Sequence, residues 1–92
     1  MSREIKKKIL SKYYRAIESG QKTFELRLAN WRCESGDVLI LEEVDDETKQ
    51  PTGRSMRKKV GYVRRTKDFS FWTEEEVEKY GYQIISLLEE EK

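Results

Sequence analysis

The stretch that decides the fold lies near the middle of the chain, where residues 35–41 read Ser-Gly-Asp-Val-Leu-Ile-Leu. Glycine and aspartate mark a turn, and four apolar residues follow without a polar interruption. A short apolar run bounded by turn residues is typical of a strand inside a sheet. We therefore expect residues 38–41 to form a central strand.

The segments before this run predict a strand, a helix and a second strand. Residues 3–10 alternate weakly in polarity, as a half-buried strand does. Ser11 as the N-cap and Gly20 just past the last turn bracket a helix over 12–19. The apolar residues of this helix recur at helical spacing: Tyr13, Ala16 and Ile17. Residues 22–28 alternate strictly, which predicts a strand with its apolar side chains inside and its charged side chains outside.

Two further strands and a helix are expected after the central strand. Residues 56–65 read as a strand, and Thr73 with Glu76 matches a capping box that opens a short acidic helix ending at Gly81. Residues 82–88 read as a last strand. The predicted order is β-α-β-β-β-α-β, which indicates an α+β fold built as a small barrel of about five strands, mixed but largely antiparallel.

Length and composition indicate one folded domain spanning residues 1–92. Charged residues make up 40% of the chain, but the net charge is +1 and aromatic residues reach 11%, which is unlike a disordered segment. The charges are segregated, because residues 54–67 contain no acid. This basic segment holds Arg54, Arg57, Lys58, Lys59, Arg64, Arg65 and Lys67. Any attraction for nucleic acid must therefore be local.

Several kinds of chemistry are excluded by composition. The chain has no histidine, so a Ser-His-Asp or Cys-His mechanism is not available within it. Cys33 is the single cysteine, which excludes an internal disulfide and a cysteine-based metal site. No apolar run approaches the roughly 20 residues of a membrane span, and the first residues do not resemble a signal peptide. We expect a cytoplasmic protein with no membrane partner, no metal and no cofactor.

The charged face of the 22–28 strand carries the candidate site. Lys22 opens the strand, and Glu25 and Arg27 lie two residues apart on one side of it. One interpretation is a solvated strand face with a surface ion pair, worth at most ~1 kcal/mol. The other is a ligand site, for which we expect the three side chains to lie near one another on a concave surface.

The motif favours the second interpretation. Gly20-x-Lys22-x-x-Glu25-x-Arg27 resembles the signature of the ASCH domain family, within the PUA-like β-barrel superfamily. The Gly-Asp turn with its apolar strand and residues 82–87 resemble later strands of that family. The likeness is greatest to a short ASCH-like group of phage and bacterial proteins without an assigned function.

This resemblance implies a PUA-like β-barrel with a charged cleft that binds RNA or a nucleotide-like ligand. The residues expected to line the ligand site are Lys22, Glu25, Arg27, Trp31 and Arg64. Some proteins similar to ASCH domains act instead as amidohydrolases on acylated cytidine, using a lysine, a threonine three residues later and a distant glutamate. Here Glu25 occupies the threonine position, and Thr23 has the wrong offset.

Two alternatives to RNA or nucleotide binding remain open at this point. One is a small amidohydrolase acting on a modified nucleoside, with Lys22 and Glu25 as the catalytic pair. The other is a protein-interaction adaptor. Residues 69–72, Phe-Ser-Phe-Trp, are expected either to cover one end of the barrel or to offer rings on which bases stack.

Overall fold

The computed structural model describes residues 3–68 and 71–90. Its helices and strands follow one another in the order β1 (Glu4–Leu10), α1 (Ser11–Glu18), β2 (Val38–Val44), β3 (Pro51–Lys59) and α2 (Glu74–Tyr80). A single turn of 3₁₀ helix at Thr66–Asp68 precedes α2. The result is a small α+β fold, and the last of its described strands ends at Lys59.

The three strands form one mixed sheet in the order β1-β2-β3, so the predicted central strand is confirmed. β2 pairs in parallel with β1, which places Ile5 opposite Leu39. It pairs antiparallel with β3, which places Met56 opposite Leu41. The crossover from β1 to β2 that a parallel pair requires contains α1.

The prediction of a five-stranded barrel is wrong. Within the described residues the sheet stays open, because β1 and β3 are its two edges and do not pair with each other. Neither 22–28 nor 82–88 is a strand, and β3 ends at Lys59, although the sequence pattern continued to residue 65. The radius of gyration is 15.4 Å, compared with about 12 Å expected for a compact chain of this length. Alternation supplies a face to bury, but a strand also needs a neighbour for its backbone groups, and these segments have none.

The core lies between α1 and one face of the sheet. Its buried apolar side chains are Ile9, Tyr14, Ile17, Leu39 and Leu41. Leu41 is the most enclosed, at 1% exposure, because it sits on the middle strand directly under the helix. α1 therefore packs on the face of an open sheet and not across the opening of a barrel.

Helix α1 begins one residue earlier than predicted. Ser11 is its first residue and not its N-cap, and the Ser11 hydroxyl donates a hydrogen bond to the Val44 carbonyl of β2 at 3.2 Å. Gly20 terminates the helix as expected, with a φ of 84° that favours glycine. The buried face is Tyr14 and Ile17, whereas the predicted Tyr13 is 44% exposed.

The turn before β2 is fixed by Asp37, which is buried at 5% exposure. Its two carboxylate oxygens accept hydrogen bonds from the backbone N–H groups of Arg3, at 3.0 Å, and Glu34, at 2.9 Å. These bonds lower the pKa of the Asp37 carboxyl, because they stabilise its charged form. The Gly-Asp pair thus fixes the start of the central strand against the start of β1.

The buried carboxylate of Glu43 pairs with the half-exposed Arg54 at an irregularity between β2 and β3. The pairing register shifts between Glu42 and Val44, and Gly53 adopts a φ of 92° on the opposite strand. The shift brings the Thr52 hydroxyl to 2.5 Å and the Arg54 Nε to 2.8 Å from Glu43 Oε1. Hydrogen bonds from Arg54 first, and then from Thr52, lower the pKa of Glu43 to about 2. Glu43 continues the inward alternation of Leu39 and Leu41, so the sequence pattern of this strand could have predicted that Glu43 is buried.

Helix α2 has the predicted capping box. The Thr73 hydroxyl accepts from the Glu76 backbone N–H at 3.1 Å, and the Glu76 carboxylate accepts from the Thr73 N–H at 3.0 Å. Gly81 ends the helix with a φ of 66°. Within the described part of the chain, α2 contacts no other helix or strand. Neither described helix has the length and apolar character needed to cross a membrane.

Candidate functional site

The end of α1 positions the first residue of the candidate site. The Gly20 N–H bonds to the Ile17 carbonyl at 3.0 Å, and the Lys22 N–H bonds back to the Ala16 carbonyl at 2.9 Å. These two bonds fold the chain sharply at the helix terminus. Lys22 therefore leaves the helix at a fixed point, and its side chain is directed along the segment that follows.

Lys22, Glu25 and Arg27 lie together as the sequence predicted. The Lys22 Nζ is 2.9 Å from Glu25 Oε1, and the Arg27 Nε is 2.8 Å from Glu25 Oε2. Their side chains are 16%, 19% and 25% exposed respectively, so the group is largely shielded from water. The three form a linked charged triad of one carboxylate between two cations.

The burial pattern around the triad is the reverse of the prediction at every position from Glu25 to Leu28, although Phe24 is half-buried. Glu25 and Arg27 turn inward, whereas Leu26 is 68% and Leu28 is 79% exposed. The charged side has a partner in the rest of the molecule: Arg27 Nη2 donates to the Lys8 carbonyl of β1 at 2.8 Å. Electrostatic and hydrogen-bonding contacts, and not apolar burial, orient this segment.

Two aromatic rings enclose the lysine of the triad. The Lys22 Nζ lies 4.8 Å from the centre of the Phe24 ring and 5.5 Å from that of Tyr13 on α1. It also donates to the Phe24 carbonyl at 2.7 Å. An ammonium is attracted to ring faces at these distances, so the rings hold the lysine where the carboxylate can reach it.

A pocket of about 690 Å³ opens beside the triad. Its floor is the outer edge of the core, including Ile17, Leu39, Leu41 and Val60. Its polar lining is dominated by cations, namely Lys22, Arg27, Lys58, Lys59, Arg64 and Arg65. Among the described residues that line it, Glu25 is the one carboxylate. The pocket thus combines an apolar floor with a basic wall.

Trp31 and Arg64 also line this pocket, together with the triad. Trp31 is half-buried against the core, and the Lys7 Nζ of β1 lies 4.0 Å from the centre of its ring. The sequence-predicted residues are therefore all brought together around one cavity.

Comparison with known protein families shows which family this chain belongs to. A family model described as a domain of unknown function, DUF3850, matches residues 5–86. The chain belongs to the DUF3850 family. The match covers the triad, β2, β3 and all of β1 except its first residue. A search of curated proteins finds no match to the chain.

In this DUF3850 domain, Arg65 links the triad side of the pocket to the segment after β3. Its Nη2 donates to the Ala29 carbonyl at 2.8 Å, and its Nη1 donates to the Trp31 carbonyl at 3.3 Å. Both acceptors lie in the loop that follows the motif. Arg65 therefore holds Trp31 at the pocket and acts through the backbone that it fixes.

Sequence reasoning missed Lys58, Lys59 and Arg65 as pocket residues of the DUF3850 domain. The basic segment 54–67 was recognised, but nothing in its pattern showed which cations face the motif. The pairing register of β2 and β3 shows which cation of β3 faces the pocket, because Lys58 lies opposite the buried Leu39.

The other candidates of the DUF3850 domain lie apart from the triad. Phe71 and Trp72 stack edge to face at 5.8 Å, and Trp72 meets Tyr82 in the same way at 6.1 Å. These three rings are exposed and do not line the pocket. Phe69, the first ring of the predicted stacking platform, is outside the described residues. In the part of the chain that is described, no cluster of acidic or cysteine side chains is arranged to hold a metal ion.

Proposed function

We propose that the pocket binds RNA or a nucleotide-like ligand. The observation that carries this proposal is the composition of the lining: six cationic side chains surround an apolar floor, and Glu25, the one carboxylate described there, already pairs with two of them. An excess of positive charge beside apolar surface suits a ligand that joins an anionic group to a planar apolar one. A nucleotide has this construction.

The apolar floor is the natural place for the base. Ile17, Leu39 and Val60 present aliphatic surface, and Trp31 stands at the side with Lys7 against its ring. A base packed against such surface would gain from stacking and from the area removed from water, with stacking on a ring worth about 1–3 kcal/mol per base. The volume of about 690 Å³ lies within the range of small-molecule sites.

The triad would orient the anionic group and keep the pocket in shape. Glu25 fixes the guanidinium of Arg27 through its Nε, so the remaining N–H groups of Arg27 are held in a set direction. A guanidinium that is held in this way can bond two oxygens of one phosphate, whereas Lys22 offers a point charge. Arg27 is therefore the main anion contact of the triad.

The likeness of the Gly20–Arg27 segment to the ASCH signature supports the same ligand class. We propose from this motif that the chain is related to ASCH domains. The proposal does not include the β-barrel that the resemblance also implied, because the sheet is open.

Binding is favoured over hydrolysis by the state of Glu25. Both of its oxygens accept hydrogen bonds from cations, so Glu25 serves to hold Lys22 and Arg27 in place, and no second carboxylate among the described lining residues is left to act as a general base. The amidohydrolase alternative requires such a base beside Lys22. We therefore propose a binding module, and turnover of an acylated nucleoside by the wild-type protein would reverse this choice.

A backbone NMR titration tests the proposal. The wild-type protein is titrated with nucleosides, nucleoside monophosphates and short single-stranded RNAs at low and moderate salt. We expect the amide signals of residues 22–31 and 58–65 to shift together for one of these ligand classes, and the affinity to weaken with salt. Shifts confined to residues outside these two ranges, or no shifts at millimolar ligand, would contradict it.

A further inference from the structure

We propose that Lys58 makes the pocket selective for a phosphomonoester, so that its ligand is a nucleoside monophosphate or the phosphorylated end of an RNA. This inference rests on the proposed function and names the ligand class more closely. It follows from asking which cations of the lining still have hydrogen-bond donors and charge to offer.

Much of the donor capacity of the triad is already used. Lys22 donates two of its three N–H groups, one to the Phe24 carbonyl and one to the Glu25 carboxylate. Arg27 spends one on Glu25 and one on the Lys8 carbonyl. Because Glu25 neutralises one of the two positive charges, the triad as a whole contributes a single net charge to the pocket.

Arg65 keeps its positive charge, but hydrogen bonds hold its guanidinium in place. Both of its terminal nitrogens donate to carbonyls of the loop after the motif, at Ala29 and Trp31. Turning the guanidinium toward a ligand would break those bonds and release Trp31. Arg65 thus adds positive potential to the pocket without being a free contact.

Lys58 differs from these groups in both respects. Its ammonium makes no hydrogen bond or ion pair with any residue in the described ranges, and its side chain is exposed. Its Cα is paired with that of Leu39, so it shares the face of the sheet that forms the pocket floor. A lysine at such a position lays its aliphatic stem on apolar surface and leaves its charged end at the rim.

The backbone beneath Lys58 is held in place. Immediately after β3, the Val60 N–H donates to the Asp37 carbonyl at 2.7 Å, and the Val60 carbonyl accepts from the Gly36 N–H at 2.8 Å. The neighbouring Lys59 is paired with Val38 and starts from the opposite face of the sheet. Lys58 is therefore the unpartnered cation that is anchored over the floor.

The charge of the lining determines which phosphate fits. A phosphomonoester carries between one and a half and two negative charges near neutral pH, about twice that of a phosphodiester. Five lining cations besides Lys58 stand against one carboxylate, so a dianion is better compensated here than a monoanion. One pocket of about 690 Å³ also suits a single nucleotide unit, whose terminal phosphate would reach the rim.

Isothermal titration calorimetry with matched ligands tests this inference. Wild type, Lys58→Gln and Lys6→Gln are each titrated with adenosine monophosphate, adenosine, and a hexanucleotide RNA with either a 5′-phosphate or a 5′-hydroxyl. Lys6 is the control, because it is an exposed lysine of β1 outside the pocket lining. We expect wild type to bind the monophosphate at least tenfold more tightly than the nucleoside. Lys58→Gln should lose at least fivefold on the monophosphate and nothing on the nucleoside, and Lys6→Gln should match wild type.

The two RNAs separate the sources of the phosphate. Preference for the 5′-phosphorylated RNA over both the 5′-hydroxyl form and the mononucleotide identifies an RNA end, and preference for the mononucleotide identifies a free nucleotide. Equal affinity of wild type and Lys58→Gln for every phosphorylated ligand overturns the role of Lys58 but leaves the proposed function standing. Failure of wild type to bind any of these ligands overturns both. Rescue by Lys58→Arg would show that the charge, and not the fold, was lost in Lys58→Gln.

Discussion

The N-terminal and C-terminal parts of this chain both contain segments rich in isoleucine and leucine, but only the N-terminal part buries such residues. Every described residue that is buried lies between Ile9 and Val44. From Val60 onward no described residue is buried, although the segment 82–88 is rich in isoleucine and leucine. Ile85 is 69% exposed and Leu87 is 87% exposed.

The two regions differ in whether their backbone N–H and C=O groups have a neighbouring strand to pair with. β2 has a strand on each side, so its N–H and C=O groups are paired, and α1 covers the face that carries Leu39 and Leu41. The segment 82–88 has the side chains of a strand but no adjacent strand in the described structure. A strand is stable only when both requirements are met, since buried backbone groups must be paired.

The largest expected effect compares a leucine from each region. Leu41→Ala empties the best-enclosed site of the core and should lower the free energy of unfolding by about 2–5 kcal/mol. Leu87→Ala removes the same atoms from an exposed position and should stay within about 0.5 kcal/mol. Urea denaturation followed by circular dichroism measures both.

The same two variants also test whether the C-terminal segment is unpacked. A loss of more than about 2 kcal/mol in Leu87→Ala would be of the size that core truncations give. It would mean that the C-terminal segment is packed in solution, and the division of the molecule into two regions would be wrong.

The next effect concerns the pocket, where the two regions meet. Arg27→Ala removes charge-assisted bonds worth about 1.5–3 kcal/mol each, so affinity for the nucleotide or RNA ligand should fall at least tenfold. Arg57→Ala is the matched control, because Arg57 pairs with Glu4 at 2.6 Å outside the pocket. Calorimetric titration at two salt concentrations measures both variants.

Arg65→Ala should weaken binding less than Arg27→Ala and mainly flatten its salt dependence, because Arg65 bonds the loop and contributes charge. Unchanged affinity in Arg27→Ala together with a large loss in Arg65→Ala would move the anion contact from the motif to the basic segment.

A third prediction uses pH to isolate the packed region. The pKa of Glu43 is lowered from 4.5 to about 2 by Arg54 and Thr52. Because the unfolded chain takes up this proton first, the stabilisation is present above pH 4.5 and is lost as the pH falls toward 2. Glu43→Gln should therefore be less stable than wild type at neutral pH and lose less stability over that acid interval.

Denaturation at a series of pH values measures this difference, and Glu42→Gln, which removes a charge from the other face of β2, is the control at neutral pH. Identical pH profiles for wild type and Glu43→Gln would show that the Glu43–Arg54 pair does not make the folded state sensitive to acid.

The smallest effect is local to α2. Thr73→Ala removes the cap, which is worth about 1 kcal/mol to a helix. Because α2 contacts no other described helix or strand, the change should lower the helicity of residues 74–80 without shifting the unfolding of the sheet. NMR chemical shifts of those residues measure the helicity, with Thr23→Ala as an exposed threonine control. A shift of the global unfolding midpoint in Thr73→Ala would show that α2 is coupled to the core.

The sequence by itself determined the features that depend on neighbouring residues. The central strand follows from the unbroken apolar run after the Gly-Asp turn, and the end of α1 follows from Gly20. The capping box of α2 and the meeting of Lys22, Glu25 and Arg27 are also local, because those partners are three residues apart or fewer.

Only the tertiary structure decided which strands pair and which cations face the motif. Periodicity shows that a segment has an apolar face but not whether a neighbouring strand is present, so 22–28 and 82–88 were expected in a barrel that does not form. Arg65 reaches Trp31 across 34 positions of the chain, and Lys58 reaches the pocket through its pairing with Leu39. Contacts of this kind are set by the register of the sheet and the packing of α1, which are properties of the whole chain and not of any one stretch.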